Sequence, residues 1–329
     1  MAVAVIGAGI AGVACARVLR AAGVDVVVHE RAGAAGGRMA SPRLHERRVD
    51  TGAAYFTVAS AEFAAVAADW QRRGLAQPWT DTMAVHSPEG SHNSRGPWRW
   101  RCPSGLRQLV ADLAGGLDVR LGSAVTGVGP GPVLDGVDYD VVVLAMPDPS
   151  ALRLLAPELT NARAQLDGRR WEPVITVVIG TALRTWGELT AMFVNDHPVL
   201  ALVADDGARR GDRAPVLVAH TSSVLAAGHV DDPDAVVPAV LAAAAAVLEV
   251  HLVVHWTHAH RWTHARPVER RDAPCYFDDA AGIGLCGDGW GTPKVETAWH
   301  SGTKLGSAIV AWLGQCSSGP NRGGPRLAQ

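Results

Sequence analysis

The chain has 329 residues, 48% of them hydrophobic, which is enough apolar surface for a large buried core. Its formal net charge is -2, and only Lys294 and Lys304 among the basic residues are lysines. This balance argues against a nucleic-acid-binding protein. The five cysteines are scattered and include no CxxC pair, so we expect a reduced, cytoplasmic protein.

The first thirty residues predict a βαβ unit. The stretch "VAVIG" (3–7) predicts a short strand, "IAGVACARVLRAAG" (10–23) a helix, and "DVVVHE" (25–30) a second strand. No basic residue precedes the first apolar stretch, so a strand explains it better than a secretion signal does.

The turn between the first strand and the helix carries Gly7, Gly9 and Gly12 in a GxGxxG pattern. In such a turn the first glycine permits a tight bend, the second lets a pyrophosphate approach the backbone, and the third lets the helix pack on the strand. Glu30 ends the second strand, where its carboxylate can accept hydrogen bonds from a ribose. Together these residues predict a dinucleotide-binding domain.

The rest of the chain alternates between helices and strands. The apolar stretch 236–254 is interrupted by Pro238, Glu249 and His251, so we predict an Ala-rich helix and a strand there rather than a membrane span. We further predict helices over 60–73, 104–117 and 299–313, strands over 139–147, 173–180, 215–222, 251–262 and within 282–290, and a disordered tail from Gln315.

Two later glycine-rich motifs are similar to the pattern of FAD enzymes. In "AGAAGGR", Gly37 and Arg38 stand where such enzymes contact the pyrophosphate or the flavin edge. In "GLCGDGWGTPKVE", Asp288 stands where they contact the ribityl chain. By the same similarity, the next helix directs its N-terminus, around Val295 and Glu296, at the flavin pyrimidine.

The chain as a whole resembles the renalase-like flavoproteins, a branch of the amine-oxidase and p-hydroxybenzoate-hydroxylase-like superfamily. The resemblance covers about residues 2–313 and rests on "VAVIGAGIAG", "GGRM", "VDTGAAYFT", "VVVLAMPDP", "HRWTHARP" and "GDGWGTPKVETAWHSG". It implies an α/β fold with a Rossmann-like FAD-binding domain of the GR2 type, similar to that of p-hydroxybenzoate hydroxylase. An α+β substrate domain built on a mixed or antiparallel sheet would complete the fold.

The resemblance also implies domain limits and cofactor contacts. The FAD-binding domain would comprise 1–78, 102–148 and 280–314, the substrate domain 79–101 and 149–279, and the disordered tail 315–329. We expect non-covalent FAD, because "WHSGTKLG" contains no cysteine that could hold the flavin. The implied FAD-binding residues are Gly7, Gly9, Ala11, Gly12, Glu30, Arg31, Gly37, Arg38, Val125, Asp288, Val295 and Glu296.

The activity implied by the resemblance is oxidation of a small molecule. Bacterial members of this family oxidise the 2- and 6-dihydro isomers of NAD(P) to NAD(P)+, and the electrons pass to O2 to give hydrogen peroxide. By resemblance we expect a reduced nicotinamide nucleotide as substrate, O2 as electron acceptor, and neither nucleic acid nor membrane as partner. A dihydropyridine regains aromaticity when hydride leaves, so such a site needs alignment rather than a base.

Aromatic and arginine residues supply the first candidates for the substrate site. Tyr55 and Phe56 lie near the flavin by resemblance, although both could be plain core aromatics. Arg95, Arg99 and Arg101 alternate with tryptophans, and guanidinium groups suit phosphate oxygens. The same alternation also occurs in a half-exposed strand. Of the three arginines we take Arg99 as the candidate.

The histidine-rich segment 251–264 supplies the remaining candidates, His260, Trp262 and His264. As a strand, it places these side chains on one face together with Trp256 and His258, with a structural role almost as well supported as a substrate role. We predict no metal, because no cysteine or carboxylate joins the run.

Two other functions remain open at this stage. An amine oxidase, or a desaturase of a small metabolite, would use the same cofactor, but amine oxidases usually hold a lysine near the flavin and this chain has none before Lys294. A flavin-binding redox sensor or assembly partner without turnover would also carry these motifs.

Overall fold

The computed structural model describes residues 1–318, which form two large sheets, two small ones and the helices packed on them. The strands are β1 Ala2–Ile6, β2 Asp25–Glu30, β3 Arg43–Leu44, β4 Arg47–Arg48, β5 Phe56–Thr57, β6 Gln77–Ser87, β7 Gly90–Arg101, β8 Asp118–Leu121, β9 Val128–Gly129, β10 Val133–Leu134, β11 Val137–Asp138, β12 Val141–Leu144, β13 Trp171–Thr181, β14 Ala191–Val194, β15 Leu200–Asp205, β16 Val216–Thr221, β17 Val254–Pro267, β18 Tyr276–Asp278 and β19 Ile283–Leu285.

The helices vary from a single turn to more than six turns. They are α1 Ile10–Ala21, α2 Ala61–Arg72, α3 Arg107–Leu113, α4 Asp148–Leu154, α5 Thr160–Leu166, α6 Asp206–Arg210, α7 Ser223–Gly228, α8 Val237–Val247 and α9 Val295–Ser318, with short 3-10 turns at Gly37–Met39 and Pro233–Val236. Among residues 1–318, no helix has the length and apolar character needed to cross a bilayer.

The six-stranded sheet has the order β18, β19, β12, β1, β2, β8, and its neighbouring strands are parallel except for β18 and β19. Strands β1 and β12 are almost wholly buried, because α1 and α9 cover one face of the sheet and α4 and α5 cover the other. The loops that follow β1, β2 and β12 therefore leave the sheet at one edge, where ligands of open parallel sheets bind.

Close contact between α1 and α9 brings the C-terminal segment to this edge. A Cβ atom on Gly302 would lie 1.9 Å from the carbonyl oxygen of Ala11, and one on Gly306 would lie 2.9 Å from that of Cys15. Only glycine permits such an approach of two helix backbones. Residues 302–306 of α9 are thereby held beside residues 11–15 of α1.

The eight-stranded sheet has the order β17, β13, β16, β15, β14, β6, β7, β5 and is mixed, since β14 and β6 are parallel and the other neighbours are antiparallel. One face packs on α8 through a cluster that includes Ile175, Val177 and Leu217. The opposite face packs on the segment 49–55, which follows the β3–β4 hairpin. The predicted fold class, a Rossmann-like domain joined to a mixed or antiparallel sheet, is confirmed.

Several local predictions need adjustment. The helix predicted over 104–117 is only α3, because Gly105 has a φ of +96° and starts a turn outside the helical range. The tail was predicted to be disordered from residue 315, but α9 continues to Ser318, and 319–329 lie outside the described residues. The domain limits stay a prediction. Nearly all of α4, and all of α5 and β18, fall within 149–279, which was assigned to the substrate domain, yet these elements pack with the six-stranded sheet.

Candidate functional site

The turn after β1 has the shape that the GxGxxG pattern predicts. Gly7 has a φ of +104°, and a Cβ atom on it would lie 2.8 Å from the carbonyl oxygen of Ala145. A Cβ atom on Gly12 would lie 2.0 Å from the carbonyl oxygen of Gly7. A Cβ atom on Gly9, by contrast, would have no neighbour within 4 Å. The turn is therefore tight on its inner side and open at Gly9, where a pyrophosphate can approach the backbone.

Glu30 is fixed at the end of β2 by backbone donors. The amide of Ala8 donates to its Oε2 and the amide of Ala32 donates to its Oε1, both at 2.9 Å. The amide of Ser123 donates to the Glu30 carbonyl at 2.9 Å, which brings the segment containing Val125 beside the end of β2. Val125 is partly buried, whereas Arg31 is exposed.

The second glycine pair lies against the first turn. The amide of Gly36 donates to the carbonyl of Ala8 at 2.9 Å, and a Cβ atom on Gly37 would lie 3.3 Å from the Cα of Gly9. Two motifs separated by about 30 residues in the printed sequence thus form one surface at the carboxyl edge of the sheet.

Arg38 and Asp288 meet across the fold. The Arg38 guanidinium donates to both carboxylate oxygens of Asp288, at 2.8 and 2.6 Å, and to the carbonyl of Ala265 in β17 at 3.0 Å. Its central carbon lies 5.0 Å from the ring centre of Trp171. These contacts join the early glycine motif, the late Gly-Asp motif and the eight-stranded sheet. A bidentate pair of this kind is strong and fixes orientation.

The start of α9 is anchored by its own acidic side chain. Glu296 is buried and accepts hydrogen bonds from the amide of Ala59 at 2.9 Å and from both the amide and the hydroxyl of Ser60 at 2.7 Å. Val295 is partly buried in the adjacent core. The side chain of Glu296 thus holds the helix to the start of α2, and its backbone is the part left to face a ligand.

A row of cross-strand neighbours runs over the face of the eight-stranded sheet that packs on segment 49–55. We call it the imidazole row; its members are His260, Thr176, His220, Leu202 and Phe193, each paired with the next across adjacent strands. Side chains paired in this way lie on the same face of a sheet. The sequence prediction included His260 but missed His220.

The imidazole row is tied to segment 49–55 through one carbonyl. The Thr51 carbonyl accepts hydrogen bonds from the Thr176 hydroxyl at 2.7 Å and from the Trp262 indole at 2.8 Å. The rings of His260 and Trp262 are 4.4 Å apart. His264 lies farther along β17, with its ring 6.5 Å from that of Trp171. The three predicted residues of β17 therefore extend from the imidazole row towards Arg38.

Both histidines of the row are held in the neutral form. Burial lowers the pKa of His220 to about 4, and the positive charges of Arg209 and Arg266 add to this effect. Burial, followed by the nearby His258, also lowers the pKa of His260. Within residues 1–318, the Nε2 atom of His220 is buried and has no hydrogen-bond partner. Neutral imidazoles can accept or donate one hydrogen bond without adding charge.

Arg99 lies at the end of the imidazole row. Its side chain is sandwiched between Tyr55 and Phe193, whose ring centres lie 5.6 and 5.8 Å from the guanidinium carbon. The residue is 8% exposed, and Nη1 donates to the carbonyls of Asp81 and Pro97 at 3.1 and 3.3 Å. Its Nε has no partner among the residues that the structure describes, and no carboxylate there forms an ion pair with it. Arg99 is therefore a buried cation without a compensating anion.

The other candidates of this region have structural partners. Arg95 is exposed and pairs with Asp81 at 2.7 Å, and Arg101 donates to two carbonyls at the end of α6. Phe56 is only 2% exposed and stacks on Trp100 within the hydrophobic core, which fits the second of the two roles left open for it, that of a core aromatic.

A buried charge cluster holds segment 49–55 from behind. Arg209 in α6 is fully buried and donates to Asp206 at 2.6 Å and to the carbonyl of Ala54 at 3.1 Å. Its Nε lies 3.6 Å from Asp50, another fully buried residue. The cluster thus fixes the backbone from which Tyr55 projects. In residues 1–318, no three His, Cys, Asp or Glu side chains form a group suited to a metal ion.

Comparison with known proteins agrees with this geometry. Residues 5–71 match the family model described as an NAD(P)-binding Rossmann-like domain. A protein from Exiguobacterium sp. 255-15 named after protoporphyrinogen oxidase is 13% identical, with a TM-score of 0.74 over 94% of this chain and 98% of that chain. The chain therefore shares its fold with that protein.

Two further solved structures have the same fold. Cyclohexylamine oxidase from Brevibacterium oxydans IH-35A is 15% identical, with a TM-score of 0.73 over 95% of this chain and 99% of that chain. Wild-type putrescine oxidase bound to putrescine is 16% identical, with a TM-score of 0.69 over 94% and 99% of the two chains. At such low identity the likeness concerns the fold and not the substrate.

Proposed function

We propose that the protein is an FAD-dependent oxidoreductase. The matching family model covers NAD(P)-binding domains, and FAD is favoured over NAD(P) as the resident cofactor by the second glycine pair and the Gly-Asp motif, which lie at the same sheet edge. A single dinucleotide-binding motif is present, so a nicotinamide nucleotide would come and go as substrate or product.

The residues at the edge fit such a cofactor. A Cβ atom built on Gly9 or Gly287 would have no neighbour within 4 Å, so the backbone is open to a ligand at two points along the edge. Glu30 would hold the adenosine ribose, Arg38 the pyrophosphate or flavin edge, and Asp288 the ribityl chain. Bound FAD would supply the hydride acceptor and would pass two electrons to O2. No cysteine is proposed to attach it.

The substrate that the geometry supports best is a 2- or 6-dihydro isomer of NAD(P). The observation that carries this choice is the buried, uncompensated guanidinium of Arg99 at the end of a row of neutral imidazoles. A buried cation favours a ligand with an anionic group, such as a nucleotide phosphate, and disfavours an ammonium ion. The balanced reaction converts the dihydro isomer, O2 and one proton into NAD(P)+ and hydrogen peroxide.

This chain's own residues would orient the substrate and exclude water. Tyr55, Trp262 and His260 offer flat apolar surfaces for a dihydropyridine ring, and the Nε2 atom of His220 offers one buried polar contact. No side chain has to remove a proton, because hydride loss alone makes the ring aromatic. Alignment is then the main contribution of the protein to the rate. We expect the reaction to take place in the cytoplasm.

Amine oxidation is the second candidate, and the fold shared with cyclohexylamine oxidase and putrescine oxidase favours it. Two observations weigh against it. The chain has no lysine before Lys294, which is exposed, and the buried cation of Arg99 would repel a protonated amine. A flavin-binding protein without turnover is the remaining alternative.

Rapid anaerobic mixing tests the proposal. Purified protein should be yellow, and acid precipitation should release intact FAD from it. The flavin absorption should disappear within one turnover of 6-dihydro-NAD. NADH, putrescine and cyclohexylamine should act far more slowly, and air should restore the colour with release of peroxide. Faster reduction by either amine would reject the assignment and favour an amine oxidase. Inertness towards every compound would favour the binding protein.

A variant pair tests the role of Arg99. Arg99→Ala should raise KM for the nucleotide while leaving KM for a dihydronicotinamide riboside, which lacks phosphates, unchanged. Arg95→Ala is the matched control, because it removes an exposed arginine of the same strand and should leave both values unchanged. Equal effects of Arg99→Ala on nucleotide and riboside would exclude the phosphate role.

A further inference from the structure

A buried ion pair lies directly behind the Gly-Asp motif. The side chains of Asp148 and Arg271 are 5% and 6% exposed, and the guanidinium Nη2 lies 3.1 Å from Asp148 Oδ1. Nη1 of the same group donates to Asp148 Oδ2 at 3.2 Å and to the carbonyl of Gly289 at 3.1 Å, and Nη2 donates to the carbonyl of Gln165 at 2.7 Å. One guanidinium thus holds the residue that follows Asp288.

The loop after Asp288 is packed against this pair without a gap. The Arg271 guanidinium lies 4.2 Å from the ring centre of Trp290. A Cβ atom on Gly289 would lie 3.1 Å from Nη1 of Arg271, 3.3 Å from Trp171 and 3.5 Å from Asp148 Oδ2. The backbone of Gly289 therefore rests on three side chains, and its position depends on theirs.

The same pair reaches Asp288 from the opposite direction. The Trp171 indole donates to Asp148 Oδ2 at 3.0 Å. The face of that indole carries the Arg38 guanidinium, which is bidentate to Asp288. The contacts form a closed circuit from Arg271 through Asp148, Trp171 and Arg38 to Asp288, and back through Gly289. A circuit of this kind fixes both the carboxylate and its arginine partner.

We propose that Arg271 and Asp148 are positioning residues that set Asp288 and Arg38 for the dinucleotide cofactor, an inference that rests on the proposed function. Stability alone does not account for them, because a buried ion pair is often no more stabilising than apolar residues of similar volume. Their contacts instead converge on the two residues that carry the cofactor motifs. Neither Asp148 nor Arg271 has to touch the cofactor itself.

The chain contains a matched control for this pair. On the other side of the eight-stranded sheet, Asp205 accepts the Trp186 indole at 2.8 Å and pairs with Arg184 at 2.8 Å, and that guanidinium lies 5.8 Å from the Trp186 ring. At both places a buried aspartate pairs with an arginine and accepts a hydrogen bond from an indole, and the Arg184 site lies away from the Gly-Asp motif. Breaking the Arg184 pair reports the cost of a broken ion pair without any effect on Asp288.

The experiment measures FAD binding to apoprotein by fluorescence quenching, with thermal unfolding of each variant alongside. Arg271→Met should raise the Kd for FAD at least tenfold, and the absorption spectrum of the bound flavin should shift towards that of free FAD. Arg271→Lys keeps the charge but cannot make all three contacts, so it should give a smaller loss. Arg184→Met should lower the unfolding temperature while leaving the Kd within twofold.

The outcomes separate the two proposals. Wild-type apoprotein that binds no FAD would overturn the proposed function and the positioning role together. If the wild-type protein binds FAD and Arg271→Met binds it with unchanged Kd and spectrum, the positioning role alone is overturned. Where Arg271→Met does not fold, the same result in Arg271→Lys overturns it. A loss of FAD affinity in Arg184→Met as large as in Arg271→Met would also overturn it, because the effect would then be one of general stability.

Discussion

The two walls of the candidate site are built in different ways. At the edge of the six-stranded sheet, the contacts proposed for the cofactor would come largely from backbone atoms around Gly7, Gly9 and Gly37, because glycine has no side chain. On the facing sheet, the contacts proposed for the substrate would come from side chains, with neutral imidazoles in the centre and Arg99 at one end. Recognition at the first wall would depend on the shape of the backbone, and recognition at the second on which side chains are present.

This difference has a consequence for what each wall can recognise. Backbone amides at a helix start suit any pyrophosphate, so the glycine edge specifies a class of cofactor. The imidazole row adds no net charge, and Arg99, the buried cation at its end, has no carboxylate partner within residues 1–318. Under the proposed function, substrate choice would therefore depend on a few side chains of the eight-stranded sheet. Variants on the two walls should fail differently.

The largest loss of stability is expected at the glycine edge, from the addition of a single methyl group. In Gly12→Ala the new methyl group would lie 2.0 Å from the Gly7 carbonyl oxygen, so α1 must separate from β1. We expect a loss of at least about 5 kcal/mol, enough to leave no folded protein at 25 °C, measured by circular dichroism and urea unfolding. Gly33→Ala, which has no neighbour within 4 Å, is the control and should be neutral. A folded Gly12→Ala protein would show that the edge tolerates side chains after all.

The second effect is expected behind the facing sheet. Arg209→Met leaves Asp50 and Asp206 buried without their fully buried partner. We expect a loss of about 3 kcal/mol in the free energy of unfolding, at the low end for a broken buried ion pair, because Asp50 and Asp206 lose one partner but keep Arg210 and Arg47. Urea unfolding at pH 7 measures it, with the exposed Arg213→Met as control. A loss below about 1 kcal/mol would mean that the cluster does not hold segment 49–55.

The glycine edge could be predicted from the sequence because its constraints are local. Gly7 and Gly12 are required by the turn that contains them, and Glu30 follows from the length of the βαβ unit. The contact between Arg38 and Asp288 could be expected only in outline, since its geometry depends on how α9 packs on α1. The motif resemblance predicted that both residues lie at one site, but only the structure shows that they form an ion pair.

The imidazole row could not be predicted, because the register between strands far apart in the sequence is not encoded locally. His220 lies opposite Thr176 only after β13 and β16 have paired. One signal was present in the sequence, since His220 is the sole ionisable residue of the apolar strand β16.

The third effect concerns cofactor retention at the glycine edge. Glu30→Ala removes the carboxylate that accepts from the amides of Ala8 and Ala32 and that would accept from the ribose. We expect the binding free energy of FAD to weaken by about 1.5–3 kcal/mol, or roughly 10- to 150-fold in Kd. Fluorescence titration of apoprotein measures it, with the exposed Glu62→Ala as control. Unchanged retention would remove Glu30 from the cofactor site.

The smallest effect is the pH dependence of stability that the buried His220 of the second wall should cause. The folded-state pKa of His220 is lowered from 6.5 to about 4, so the unfolded chain takes up a proton before the folded one does. Stability contributed by the neutral imidazole is therefore complete above pH 6.5 and is lost as the pH falls towards 4. At pH 5 this loss is about 2 kcal/mol relative to pH 7. His220→Gln should lack that part of the loss when urea unfolding is compared at the two pH values. The same pH dependence in both proteins would mean that His220 titrates normally and that the row is open to water.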